Sequence, residues 1–258
     1  MDRPVAIVTG GGTGIGAATA RRLASDAYRV VVCGRRASLI EAVASEIGGL
    51  AIRADVTQPT ECERCVSETV KELGRLDGLV LNAGTGGYGS VTDLSVSTWQ
   101  TTIETNLSSA FYMCRVALPH LIASGGALVA VASIAALRTG PSAAAYSASK
   151  AGLVALIRSI AVDYGPRGVR ANVVCPGWVC TEMADEEMTA LGGDREAAYK
   201  RVTWHVPQRR PGTPAEVAAS IAWLLSEEAS YVNGTSLMVD GGTKAVDAGS
   251  TAFLTAGP

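Results

Sequence analysis

The chain is short of the residues from which metal centres and charged interfaces are made. Histidine and phenylalanine occur twice each in 258 residues. His120 and His205 lie far apart with no cluster of ligand-type side chains beside either, which argues against a histidine-built metal site. Charged residues make up only 18% and the net charge is -2, so there is no electrostatic case for nucleic acid or an acidic membrane as partner. No run of eighteen or more apolar residues occurs, and the N-terminus enters a strand-like run almost at once. A cytoplasmic soluble protein is the expectation. Cysteine is present six times but not as a disulfide framework. Cys62 and Cys65 form a C-x-x-C with no second pair at zinc spacing, on a polar helix-like stretch after Pro59, and three other cysteines fall in apolar runs where the thiol acts as a small hydrophobe.

What the chain has is glycine in one place. Thr9-Gly10-Gly11-Gly12-Thr13-Gly14-Ile15-Gly16 follows the apolar run Val5 to Val8. The spacing reads as G-x-x-x-G-x-G through Gly10, Gly14 and Gly16, or as G-x-G-x-x-A through Gly12, Gly14 and Ala17. Without Cβ atoms the backbone can approach a pyrophosphate, and a helix beginning near Gly14 offers it unpaired amides. The context fits: a strand before, a helix after, and a second strand at 29-33 closing a unit of about thirty residues.

Strand-like runs at 5-9, 29-33, 49-53, 76-81, 126-132, 168-175 and 236-240 alternate with helix-like stretches near 14-26, 36-47, 59-73, 97-123, 146-164 and 214-226. That alternation predicts an α/β fold, a doubly wound parallel sheet in a single-domain Rossmann arrangement. Ligands in such sheets bind beyond the carboxyl ends of the strands. Four marked segments fall there: the glycine turn, Asn82-Ala83-Gly84, Ser133, and Pro176-Gly177. No linker or repeat divides the chain. The expected unit is 1-242, with one long irregular region at 177-213 read as a substrate lid. The tail 243-258 is read as frayed or as a subunit contact.

Tyr146 and Lys150 stand four apart, thirteen and seventeen residues after Ser133. On a helix that spacing puts phenol and ammonium on one face about a turn apart, so the ammonium can lower the phenol's pKa. Alone, such a pair is as readily a surface feature.

Together these residues resemble the short-chain dehydrogenase/reductase family over 5 to about 242. The features are Thr9-Gly10-x-x-x-Gly14-x-Gly16, Asp55-Val56, Asn82-Ala83-Gly84, Asn106, Ser133, Tyr146-x-x-x-Lys150, Pro176-Gly177 and Asp240-Gly241-Gly242. The resemblance implies an NAD(P)-dependent oxidoreductase, usually tetrameric, acting on an alcohol or a carbonyl. It assigns Tyr146 as general acid, Ser133 as hydrogen-bond partner of the same substrate oxygen, Lys150 to the nicotinamide ribose and the phenol's pKa, and Asn106 to a water beside Lys150. Bringing a phenol from about 10 to about 7 takes roughly 4 kcal/mol. The cofactor is expected at Gly10, Gly12, Thr13, Gly14, Ile15, Gly16, Asp55, Val56, Asn82, Ala83, Gly84, Tyr146, Lys150, Pro176, Gly177, Val179 and Thr181.

An acidic residue, which NAD-binding folds usually carry about twenty positions beyond the glycine turn, is missing; Gly34 stands there, followed by Arg35 and Arg36. Guanidinium groups without a carboxylate favour the 2'-phosphate of NADP, with Arg35 the better candidate. Thr13 departs from the basic residue that many NADP-preferring relatives have. Trp178 and Met183 suggest apolar contact with substrate or lid packing. Reduction of a carbonyl, such as a 3-oxoacyl or polyketide thioester, is the expected reaction. A dehydrogenase of a secondary alcohol, sugar alcohol or steroid is the alternative, and a non-catalytic NADP-binding scaffold the remote one.

Overall fold

The computed structural model describes residues 3–192, 194–247, 249 and 251. Seven strands form one sheet: β1 (Val5–Thr9), β2 (Arg29–Gly34), β3 (Leu50–Arg53), β4 (Gly78–Leu81), β5 (Ala127–Val131), β6 (Arg170–Pro176) and β7 (Ser236–Val239). They are all parallel, in the order β3-β2-β1-β4-β5-β6-β7. The order reverses between β1 and β4, which opens a crevice at their carboxyl ends. The predicted doubly wound single-domain fold is observed.

Burial on both faces explains the unbroken apolar strands. Val5 and Ile7 face a layer made by α3 (Pro59–Leu73), α5 (Ser109–Ser124) and α6 (Ala144–Tyr164), through residues such as Val66, Met113, Leu121 and Ile157. Ala6 and Val8 face α1 (Gly14–Ser25), α2 (Ala37–Ile47) and α9 (Pro214–Leu225), through Ala20, Leu23, Val43 and Ile221. Cys62 and Cys65, expected on a polar helix, are wholly buried in the first layer on the inner face of α3, and burial pushes the Cys62 thiol up to about 12. Among the described residues no helix is long and apolar enough to cross a membrane.

Two local expectations fail. The predicted helix 97-123 is α4 (Val96–Ile103) and α5 joined by a π-helical turn, Glu104–Ser108. One extra residue in the turn leaves the apolar spacing on either side intact, so periodicity gives no warning of it. The region 177-213 is not irregular. It holds α7 (Glu182–Ala190) and α8 (Arg195–Thr203), whose Ala184, Met188, Ala198 and Tyr199 form a small core of their own with Trp178 packed on it. Thr181 and Asp194 start these helices by accepting from Ala184 N and Ala197 N. The tail beyond 243 begins as a 3-10 turn, Thr243–Ala245, and much of it lies outside the described residues.

Candidate active site

The glycine turn is held from across the sheet. Thr9 Oγ1 donates to Val80 O and accepts from Asn82 N and Ala83 N. Asn82 Nδ2 donates to Thr9 O at 3.0 Å and Gly10 O at 3.1 Å. Gly10 has φ +62°, and a Cβ on Gly16 would lie 2.3 Å from Gly10 O, so neither position admits a side chain without displacing the turn. No acidic residue occupies the first turn of α1, and Thr13 makes no side-chain cap there. The backbone therefore presents free amides at a helix start to a space that glycines keep open, a fit for an anionic pyrophosphate.

Next to this turn lies the Ser133, Tyr146 and Lys150 group. Ser133 follows β5, its Oγ accepts from Ala135 N at 3.1 Å, and it lines the same cavity as Tyr146. Lys150 sits one helical turn beyond Tyr146 on α6, with Nζ 5.7 Å from the ring centroid and donating to Val131 O at 2.9 Å. The pKa expectation needs correcting. Burial pushes the Tyr146 phenol up, opposed by the nearby Ser133 hydroxyl and reinforced by the Glu187 charge. Lys150 meets the face of the ring and is itself desolvated, its pKa lowered to about 8. An ammonium so placed does not outweigh burial.

Asn106 lies in the π turn, 2% exposed. Its Oδ1 accepts from Thr85 N at 2.7 Å, and Nδ2 donates to Thr85 O at 2.9 Å and Ser149 Oγ at 3.0 Å. It fixes the segment after β4 against α6, and Gly84 in that segment lies close to both Asn106 Oδ1 and Lys150 Nζ.

A cavity of about 1240 Å³ joins these parts. Every site residue expected from sequence lines it except Gly16, which lies behind the turn, and Asn106, which is buried behind Thr85. At one end Gly34, Arg35 and Arg36 form the wall, with no carboxylate at the end of β2. Arg36 donates to Thr13 Oγ1 at 3.1 Å and pairs with Glu182 Oε2 at 3.4 Å, so a guanidinium comes to the position where Thr13 had seemed a gap in positive charge. Arg35 makes no hydrogen bond or ion pair among the described residues. Asp55 lines the middle, where Oδ1 accepts from Thr57 N and Thr57 Oγ1. Pro176, Gly177, Val179 and Thr181 bring the chain from β6 to α7; Gly177 N donates to Val239 O.

At the other end α7 covers the reacting group. Trp178, Met183 and Met188 line the cavity there. Trp178 also packs on the small core formed with Ala184, Met188, Ala198 and Tyr199, the packing role weighed from the sequence. Sequence reading did not single out Glu187, whose Oε1 accepts from Tyr88 Oη at 2.7 Å, while the Tyr88 ring lies tilted on Tyr146 with centroids 6.0 Å apart. Ala184 and Met188, after the Thr181 cap, pack into the core beneath α7 and leave Glu187 on the cavity wall, a placement two apolar residues among charges do not signal in the sequence.

A serine, a tyrosine, a buried lysine and a glycine turn suited to a phosphate thus line one cleft. Comparison with known proteins agrees. A family model described as Enoyl-(Acyl carrier protein) reductase matches residues 10–244. The chain is 41% identical to Protein MoaE of Klebsiella aerogenes over 96% of this chain and 98% of that protein. It is 34% identical to meso-2,3-butanediol dehydrogenase of Serratia marcescens, over 96% and 97%. Among solved structures, a single-substitution variant of actinorhodin polyketide ketoreductase with NADPH superimposes with a TM-score of 0.91 at 33% identity, covering 95% of this chain and 98% of that one. The chain belongs to the short-chain dehydrogenase/reductase family. It is an oxidoreductase of the CH–OH group, from a family that binds NAD or NADP.

Proposed function

We propose that the protein is an NADP(H)-dependent oxidoreductase interconverting a ketone and a secondary alcohol, with Ser133, Tyr146 and Lys150 as its catalytic residues. The observation that carries this is the convergence of Ser133, Tyr146 and buried Lys150 on one cavity with the glycine turn and Arg35. When bound, the nicotinamide supplies the hydride donor or acceptor and, in its oxidised form, a positive charge.

The chain's own residues do the rest. Tyr146 gives its proton to the carbonyl oxygen in reduction and takes it back in oxidation; a phenol held up by burial is fully protonated at neutral pH, the state reduction requires. Ser133 donates to the same oxygen and stabilises the developing negative charge. Lys150 is assigned to the nicotinamide ribose hydroxyls. Asn106 acts through Thr85 and Ser149, and is a positioning residue. Gly10 to Gly16 and Asn82 to Gly84 would hold the pyrophosphate and ribose region, Asp55 and Val56 the adenine end, and Pro176 to Thr181 the nicotinamide end. Arg35 and Arg36 are assigned to the 2'-phosphate, in the absence of any carboxylate at Gly34.

Of the substrate classes expected from sequence, a secondary or sugar alcohol or its ketone is favoured by Glu186 and Glu187 on the cavity wall. Likeness to the actinorhodin ketoreductase supports a polyketide-type carbonyl as the second reading. A homotetramer is proposed from the family together with Phe111 and Val162, exposed on the outer sides of α5 and α6. Kinetics with both nucleotides test the cofactor: a preference for NAD(H) above about tenfold in kcat/KM, or about 1.4 kcal/mol, overturns NADP. Substantial turnover by Tyr146→Phe with nucleotide binding intact overturns the assigned acid.

A further inference from the structure

The substrate end of the cavity contains a carboxylate that nothing balances. Glu187 is half-buried on α7 and lines the same cavity as Ser133 and Tyr146. Its one hydrogen bond among the described residues comes from Tyr88 Oη at 2.7 Å, although a carboxylate has about four lone-pair sites to fill. No cation among the described residues pairs with it. The neighbouring charge is that of Glu186, which repels. Of the cations at the cleft, Arg35 stands at the opposite end beside Gly34, and the others are engaged elsewhere: Arg36 with Glu182 and Thr13, Arg138 with Thr243 O and Val246 O, and Lys150 with Val131 O.

Burial and Glu186 push the Glu187 carboxyl up, and its charge reaches Tyr146. A desolvated carboxylate without a counter-charge costs stability, and one set beside the reacting atoms has a use when the ligand supplies the missing donor. Tyr88 links the two places, with its ring against Tyr146 and its hydroxyl on Glu187.

We propose that Glu187 is a specificity-determining residue that accepts a hydrogen bond from an ammonium or hydroxyl group carried by the substrate close to its reacting carbon, with Tyr88 holding the carboxylate in place. This rests on the redox function proposed above. In oxidation the carbinol C–H bond breaks and its hydride goes to the oxidised nicotinamide, while the O–H proton passes to the Tyr146 phenolate, formed once the phenol's own proton has left to solvent; Glu187 gains and loses nothing. It binds a group that does not react.

Three alcohols sharing the CH3–CH(OH)–CH2 unit test this: 1-amino-2-propanol, 1,2-propanediol and 2-butanol, oxidised with NADP or NAD. The wild type should favour at least one donor-bearing alcohol over 2-butanol by tenfold or more in kcat/KM. Glu187→Leu should bring that ratio to within threefold of one. Glu187→Gln keeps an acceptor without the charge and should lower the ratio for the amino alcohol more than for the diol; the reverse pattern identifies the hydroxyl as the donor. Tyr88→Phe should lower the ratio by a smaller factor. Equal kcat/KM for all three in the wild type, or an unchanged ratio in a folded, nucleotide-binding Glu187→Leu, overturns the assignment. Oxidation of none of the three by the wild type counts against the secondary-alcohol reading of the substrate rather than against Glu187. Calorimetric Kd values for the three alcohols on the nucleotide-saturated wild type and Glu187→Leu then decide the role of Glu187 by the same tenfold criterion.

Discussion

Lys150→Met should make the protein more stable near neutral pH, and the gain should vanish in alkali. Lys150 is 5% exposed, and burial lowers its pKa from 10.5 to about 8. At pH 7 both the folded and the unfolded chain carry the proton, and the folded chain bears the full cost of the buried charge. That difference in pKa is worth about 3 kcal/mol. The sign follows from proton counting: between about 8 and 10.5 the unfolded chain binds more protons than the folded one, so stability rises with pH across that window. The methionine keeps an unbranched stem and removes the charge. It also leaves Val131 O without its donor, which costs about 1–2 kcal/mol. The net gain at pH 7 is about 1–2 kcal/mol, or a rise in Tm of about 2–6 °C for a chain of this size. By pH 9.5 the wild type has shed about 2 kcal/mol of the burden, and the variant's advantage is lost. Urea unfolding of both proteins at pH 7.0 and 9.5, at one protein concentration, measures the difference directly, because groups common to both cancel. A difference in stability that stays the same at the two pH values would refute the reasoning. Turnover should fall in the same variant, placing the charge among features kept for activity at the expense of stability.

Gly16→Ala forces a Cβ into Gly10 O, so nucleotide affinity should fall at least about tenfold, roughly 1.4 kcal/mol; calorimetric titration that finds wild-type affinity contradicts the proposed cradle. Asn106→Ala strips Thr85 N, Thr85 O and Ser149 Oγ of their partner and should cost about 2–4 kcal/mol in urea unfolding. A loss below about 1 kcal/mol would mean the segment after β4 is held by other contacts. Glu216 closes a capping box with Thr213 at the start of α9, and its bond from Arg210 holds its carboxyl down at about 2. The contribution is present above the unfolded pKa of 4.5 and lost as pH falls toward 2. Thermal melts should therefore show wild type ahead of Glu216→Gln at pH 6, with the two converging near pH 2; a constant gap refutes the linkage.

The sheet was legible because its central strands are buried on both sides and read as plain apolar runs, as in Val5 to Val8. The nucleotide turn was legible because its glycines are required by backbone contacts as close as that of Gly16 to Gly10 O. The lid was not. Its core rests on Ala184, Met188, Ala198 and Tyr199, too few apolar residues among too many charges to set a visible period. Other features depend on groups distant in sequence. Arg36 meets Glu182 across 146 positions, and Tyr88 meets Glu187 across 99, so neither pairing leaves a local trace. The direction of the Tyr146 pKa depended on depth of burial, which four-residue spacing does not contain.

Five hydrogen bonds through Thr9 and Asn82 set the shape of the glycine turn from within the sheet. The lid stands on four buried residues of its own. A mould that exists before its occupant asks nothing of the protein on filling, whereas a cover with a small core must be assembled around what it covers. Ligand fragments will therefore behave differently at the two ends. Pieces of the dinucleotide cut at the turn should contribute affinity in proportion to the contacts they keep. Pieces of the substrate cut beneath α7 should lose more than their own contacts, because each also carried part of the work of holding the cover down.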